Sequence, residues 1–163
     1  MTRTDASAVI PAPPGEVYAL LVDPARMDVV TEASGDLVSD EELADGTRVL
    51  RSRTHRPKGG TVEARTILVE RVPDRRVVLR HTVAPTVVAS ARRLRFGQVE
   101  AERTLTLDPH PEGTLVRTQT GWRFRPILLH LYFSFVNRGH LPRAAELTLE
   151  RLRTYFASAG GEG

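Results

Sequence analysis

The chain contains no cysteine. That single absence removes disulfide frameworks, thiolate zinc sites, iron–sulfur ligation and cysteine nucleophiles together. Lysine is nearly absent as well. Of 23 basic residues only Lys58 is a lysine, and the others are arginines. The arginines are spread along strand-like segments and mixed with Glu and Asp. Nucleic-acid binding calls for clusters with aromatics between them, so no nucleic-acid partner is expected. No apolar run is long enough to span a bilayer. The longest, Pro126 to Val136, is short and interrupted, which argues against stable membrane insertion. Met1-Thr2-Arg3-Thr4-Asp5 leads into a strand pattern rather than an apolar leader, so a cytoplasmic setting is the expectation. The five histidines, at 55, 81, 110, 130 and 140, show neither i,i+4 nor His-x-His spacing. Gly59-Gly60 lacks the Lys-Ser/Thr of a phosphate loop, and no Gly-x-Ser-x-Gly elbow occurs. Neither a metal nor a cofactor is expected.

What is present suits one compact unit. The chain has 163 residues and 40% apolar content, enough for a core without disulfides. Residues 1–159 read as one domain and 160–163 as a frayed tail. Ala6 to Pro11 reads as a short strand. Pro13-Pro14 then opens a helix carrying Val17, Leu20 and Leu21 at helical spacing. Asp23-Pro24 restarts a second short helix through Met27, with Asp23 as N-cap. From Ser34 to Phe124 almost everything reads as strand. The runs are Asp36–Asp40, Thr47–His55, Thr61–Val72, Arg76–Val83, Gly97–Leu107 and Thr114–Phe124. Asp45-Gly46, Pro57–Gly60, Pro73–Arg75 and Asp108–Gly113 supply the turns. Ala84–Phe96 has no clear pattern. Arg125 to Ala157 predicts a helix of about eight turns, bent near Asn137–Pro142. Its second half puts Leu141, Ala145, Leu149 or Thr148, Leu152 and Phe156 on one face. Hairpin-linked strands flanked by helices define an antiparallel α+β class.

Three segments carry a family likeness. They are Val9-Ile10-Pro11-Ala12-Pro13-Pro14-Gly15-Glu16-Val17-Tyr18-Ala19-Leu20-Leu21-Val22-Asp23-Pro24, Glu112-Gly113-Thr114-Leu115-Val116, and the terminal helix ending in Leu152-Arg153-Thr154-Tyr155-Phe156. Together they resemble the SRPBCC (START-like, polyketide cyclase/dehydrase-like) superfamily. The resemblance implies a helix-grip fold: a curved antiparallel sheet of about six to seven strands around a long C-terminal helix, with a short two-helix hairpin after strand 1. It also implies a cavity between sheet and helix that takes a hydrophobic, polyketide-like or lipid-like small molecule. These motifs are structural, so they speak to fold more than to chemistry.

Period-two alternation sorts the strand residues into faces. His81 shares the apolar face of its strand with Val77, Leu79 and Val83. Leu50, Ser52 and Thr54 point inward, because the alternative buries Arg51 and Arg53. Thr118, Thr120 and Trp122 share the inner face of the last strand. Arg103 lies with Val99, Ala101, Leu105 and Leu107. From the helix, Leu129, Tyr132 and Phe133 are the candidates to reach the cavity. Leu50, Ser52, Thr54, Leu79, Thr118, Thr120, Trp122, Leu129 and Phe133 are the expected ligand-binding residues. His81, Arg103 and Tyr132 are the catalytic candidates.

Each catalytic candidate has a plainer reading. His81 is a general acid or base, or a neutral histidine bonded to a backbone carbonyl. Arg103 binds an oxygen or carboxylate, or pairs with Glu100, Glu102 or Glu63. Tyr132 offers its hydroxyl to a ligand or simply packs. Trp122 is a stacking platform or a core anchor. Three functions stay open. The chain is a cyclase or dehydratase (a lyase) working by acid–base chemistry, or a non-catalytic carrier. The third is an interaction protein whose apolar Ile127–Val136 surface docks a partner or a second copy of the chain.

Overall fold

The structure, a computed structural model, describes residues 2–26, 29, 36–55, 61–83, 98–125 and 140–159. Its elements are β1 (Thr2–Ile10), α1 (Pro14–Val22), a 3-10 turn (Pro24–Arg26), β2 (Asp36–Glu42), β3 (Arg48–His55), β4 (Thr61–Val72), β5 (Arg76–Val83), β6 (Gln98–His110), β7 (Gly113–Arg125) and α2 (His140–Ala159). The seven strands form one curved antiparallel sheet in the order β1-β7-β6-β5-β4-β3-β2. β2 to β7 form a meander, and β1 joins beside the last strand. Helix α2 lies over β1 and β7, while α1 touches β5, β6 and β7. This is the helix-grip architecture.

Local chemistry accounts for the elements. Pro14 occupies the first turn of α1, where a missing N–H removes no bond. Val17, Leu20 and Leu21 form its buried face. The Asp23 carboxylate then accepts the Ala25 N–H at 2.9 Å and caps the next segment. Among the described residues that segment is a single 3-10 turn, not the expected second helix, so a two-helix hairpin is not seen; Met27 lies outside them. At Asp45-Gly46 the expected turn forms, with Gly46 at φ 78° and Leu43 N–H donating to Thr47 O at 2.8 Å.

Several boundaries differ from the sequence reading. β2 runs on to Glu42, not Asp40, because Glu41 and Glu42 pair with Val49 and Arg48. β1 begins at Thr2, not Ala6, because Thr2–Asp5 pair with Trp122–Gln119. Tertiary pairing there overrides a polar local sequence. β6 and β7 run closer together than expected and leave only Pro111-Glu112 as the loop, since Asp108 to His110 already pair with β7. Arg125 closes β7 instead of opening the helix. Residues 126–139, with the Ile127–Val136 surface and the first part of the expected bend at Asn137–Pro142, lie outside the described residues; His140 to Pro142 already belong to α2.

The sheet's helix-facing side and one stripe of α2 build the core. Leu50, Leu68, Val77, Leu79, Leu105, Leu107 and Val116 meet Val17, Leu20 and Leu21 of α1 and Leu149 and Leu152 of α2. On α2, Ala145, Thr148, Leu149 and Leu152 are buried, whereas Arg143, Glu146, Glu150, Arg151 and Arg153 are exposed. The stripe therefore follows the helical period. The side chain of Leu141 is outside the described set. At the far end of α2, the Arg26 guanidinium lies 5.2 Å from the centre of the Tyr155 ring.

Gly113 explains the Glu112-Gly113-Thr114 signature. Its φ is 132°, and a Cβ built there would sit 2.2 Å from the Ile10 carbonyl oxygen. The next residue, Thr114, is fully buried and donates its hydroxyl to Ala12 O at 2.6 Å. The last hairpin is thus locked against the end of β1. Gly113→Ala is expected to destabilise the fold by about 3 kcal/mol, from backbone strain plus displacement of β1. Urea denaturation checks this, and a loss under about 1 kcal/mol contradicts the account.

Candidate functional site

The helix-facing side of the sheet is not uniformly apolar. Two adjacent rungs cross its middle. One runs Thr4, Thr120, Arg103, Leu79, Leu68 over β1, β7, β6, β5 and β4. The next runs Trp122, Ala101, His81, Thr66, Leu50 over β7 to β3. Alternation puts every member on one face. The sequence thereby sets a cation, an imidazole, an indole and several hydroxyls among leucines and alanines.

Arg103 reaches off the sheet. Its Nε donates to Thr120 Oγ1 at 3.2 Å, and its Nη1 donates to Thr148 Oγ1 of α2 at 2.9 Å. Two of the carboxylates considered for it are engaged elsewhere. Glu102 accepts from Arg80 at 2.9 Å, and Glu63 accepts from Arg53 at 2.8 Å. Glu100 lies 4.0 Å from Arg123. All three occupy the opposite face of their strands from Arg103 and Ala64.

His81 is partly buried, and its Nδ1 shares a hydrogen bond with Thr66 Oγ1 at 2.8 Å. The plain reading of a bond to a backbone carbonyl is thus replaced by one to a hydroxyl. Burial, and then the nearby Arg103 charge, lower its pKa from 6.5 to about 4. Loss of solvation and a neighbouring cation both oppose the imidazolium. At neutral pH His81 is therefore an uncharged imidazole.

Three buried polar atoms of the described residues have no hydrogen-bond partner: Trp122 Nε1, Thr118 Oγ1 and Thr4 Oγ1. Buried polar groups are normally satisfied, so such atoms mark an interior with unmet demand. An indole N–H can only donate, as can a guanidinium. This surface suits acceptor oxygens carried on an apolar frame.

The other candidates divide cleanly. Leu50, Leu79, Thr118 and Thr120 are buried on this face, and Ser52 is partly buried beside exposed Arg51 and Arg53. Thr54 lies in β3, but its side chain is outside the described residues, as are Leu129, Tyr132 and Phe133. Two residues of the cluster were not singled out. Thr66 is legible from the alternation of Thr61–Val72, and Thr148 from a hydroxyl standing inside an apolar helical stripe. Among the described residues no group of His, Asp or Glu is arranged to hold a metal ion, and no helix is long and apolar enough to cross a membrane.

Comparison with known proteins adds a family and a set of folds. Residues 1–157 match the family profile described as polyketide cyclase / dehydrase and lipid transport. Sequence comparison with curated proteins finds no match. The fold is similar to that of the di-domain ARO/CYC StfQ from the steffimycin biosynthetic pathway, with a TM-score of 0.68 at 14% identity over 98% of this chain. It is also similar to a protein of the dynemicin biosynthetic locus, with a TM-score of 0.61 at 16% identity over 96% of this chain. The chain spans 51% of the first and 48% of the second, about half of each. A Rhizobium leguminosarum protein matches over 96% of this chain and 95% of its own, with a TM-score of 0.67 at 12% identity. At such identities these likenesses speak to the fold alone.

The depressed His81 pKa has a sign that can be checked. The unfolded chain takes up a proton near pH 6.5, whereas the folded chain resists it down to about pH 4. The stabilisation is fully present above 6.5 and is lost as pH falls toward 4. Wild type should therefore lose roughly 3 kcal/mol more than His81→Gln between those limits. Urea titrations across that range measure the difference, which also cancels the carboxylates. Parallel curves for the two proteins would show that His81 is not held neutral.

Proposed function

We propose, for a chain that belongs to the polyketide cyclase / dehydrase and lipid transport family, that the space between sheet and α2 holds a hydrophobic small molecule bearing carbonyl, phenol or enol oxygens. The observation that carries this reading is the buried Trp122 Nε1 without a partner, one strand from Arg103 and in the same rung as His81. A buried, unsatisfied donor costs about 1–3 kcal/mol, which a ligand oxygen would remove. Leu50, Leu79 and the Trp122 ring would form apolar walls, and Arg103 would donate to an oxygen. Several donors spread over two rungs favour a multiply oxygenated, polyketide-like molecule over a lipid with one polar end.

Catalysis is the second reading, and the adjacency of a neutral imidazole and a guanidinium favours it. His81 would take a proton from a carbon flanked by carbonyls, and Arg103 would stabilise the resulting enolate oxygen. The enolate carbon would form a bond to a second carbonyl carbon. Its oxygen would take the proton from His81, and loss of water would follow. A base is most effective with a pKa near the working pH, and about 4 lies well below that. Binding is therefore the leading conclusion. A carrier needs the same site without the proton transfer. A docking protein would rely on Ile127–Val136.

The test uses the chain's sole tryptophan, which lies in the site. Titration with 1,8-dihydroxyanthraquinone should quench Trp122 emission saturably. At a hundred times Kd it should stabilise the fold by about 2.7 kcal/mol. Thr118→Phe, which fills the face, should abolish both effects while unfolding cooperatively. Absence of quenching and of thermal stabilisation in the wild type would sink the reading. Unimpaired binding by Thr118→Phe would move the ligand elsewhere.

A further inference from the structure

We propose that Thr148 of α2 is a positioning residue. Together with Thr120 of β7 it aims the Arg103 guanidinium at an oxygen of the bound molecule, so oxygen recognition depends on how α2 is seated. The inference rests on the ligand reading above and deepens it.

Thr148 is 1% exposed and stands in the stripe of Ala145, Leu149 and Leu152. A valine would match its shape there and would need no hydrogen bond. Threonine is also a weaker helix former than alanine or leucine. Its hydroxyl is used, however: Oγ1 accepts from Arg103 Nη1 at 2.9 Å. On the other side Thr120 Oγ1 accepts from Nε at 3.2 Å. An unrestrained arginine side chain samples many rotamers, and its planar fork recognises oxygens only when oriented. Bonds at Nε and at Nη1, together with the covalent attachment at Cδ, fix three points of the guanidinium and so its plane.

The two anchors belong to different layers. Thr120 is set by the β6–β7 register, in which it faces Arg103 directly. Thr148 is set by the helix. The apolar stripe of α2 holds that helix against the sheet, but hydrophobic contact carries no direction. A hydrogen bond weakens steeply when its angle degrades. A small rotation of α2 that leaves the leucines buried would therefore release one end of the guanidinium. Helix position becomes a determinant of which oxygens are accepted.

The experiment compares 2-naphthoate with uncharged 2-naphthamide, followed through Trp122 emission, in wild type, Thr148→Val and Thr148→Ser. Wild type should prefer naphthoate by about tenfold, as a charge-assisted bond to an oriented guanidinium requires. Thr148→Val should weaken naphthoate by about tenfold and naphthamide by less than about twofold. Thr148→Ser should restore the preference. A ligand-free readout runs beside it. Arg103 contributes to the depression of the His81 pKa, so Arg103→Met should make His81 titrate at higher pH by NMR. Thr148→Val should move His81 in the same direction as the guanidinium drifts away. Should that variant fail to unfold cooperatively, Thr120→Val removes the other anchor and is read in the same way. Equal weakening of both probes with unchanged His81 titration would make Thr148 merely structural and overturn the proposal, as would no change at all. A wild type that binds dihydroxyanthraquinone but shows no preference for naphthoate also overturns it and leaves the ligand reading standing. Binding of none of the three compounds sinks both.

Discussion

A cation placed between a sheet and a helix sets the terms for this interior. Removing a guanidinium from water is unfavourable unless hydrogen bonds replace the lost hydration. Here hydroxyls from both layers do so, Thr120 from β7 and Thr148 from α2. The layers are thus joined by direction as well as by apolar contact. Burial first, and the same cation second, disfavour a positive charge at His81 and keep the imidazole neutral. An ordinary oily seam between helix and sheet would contain none of these groups.

Much of the fold is readable because the periodicities are strong. Arg51 and Arg53 could not both be buried, and that alone turns Leu50 and Ser52 inward. Arg117, Gln119 and Arg123 likewise turn Thr118, Thr120 and Trp122 inward. The turn at Asp45-Gly46 and the proline-led start of α1 are local events fixed by local chemistry. The departures arise where distant partners decide. Thr2–Asp5 has little strand character of its own and is strand because β7 lies beside it. Asp108 to His110 reads as loop and is held in register by the same strand.

The site was legible to the level of faces and not of partners. Alternation brings His81, Arg103 and Trp122 to one side, but it cannot say what each touches. A glutamate of its own strand is a natural suggestion for Arg103, yet Glu100 and Glu102 project from the other side of β6. The actual partner on α2 is 45 positions away in sequence. Thr66 and Thr148 are recognisable only as members of a face, because a threonine in a strand or helix carries no conspicuous chemistry until a neighbour gives it one. Family membership supplies the class of fold, while the polar pattern is read from the residues of this chain themselves.

The pairing of β1 with β7 has a temporal consequence. Ile10 lies beside Thr114 and Thr2 beside Trp122, so the first strand meets a partner more than a hundred residues downstream. Closing so large a loop before any contact rewards it is entropically unfavourable. The β2-to-β7 meander can zip locally, but the opening strand must wait for the final one. During synthesis at about 5–20 residues per second, that leaves a half-sheet with an open flank for several seconds. In that interval the nascent chain is exposed to association with other chains, and the arrival of β7 and then of α2 is what ends it.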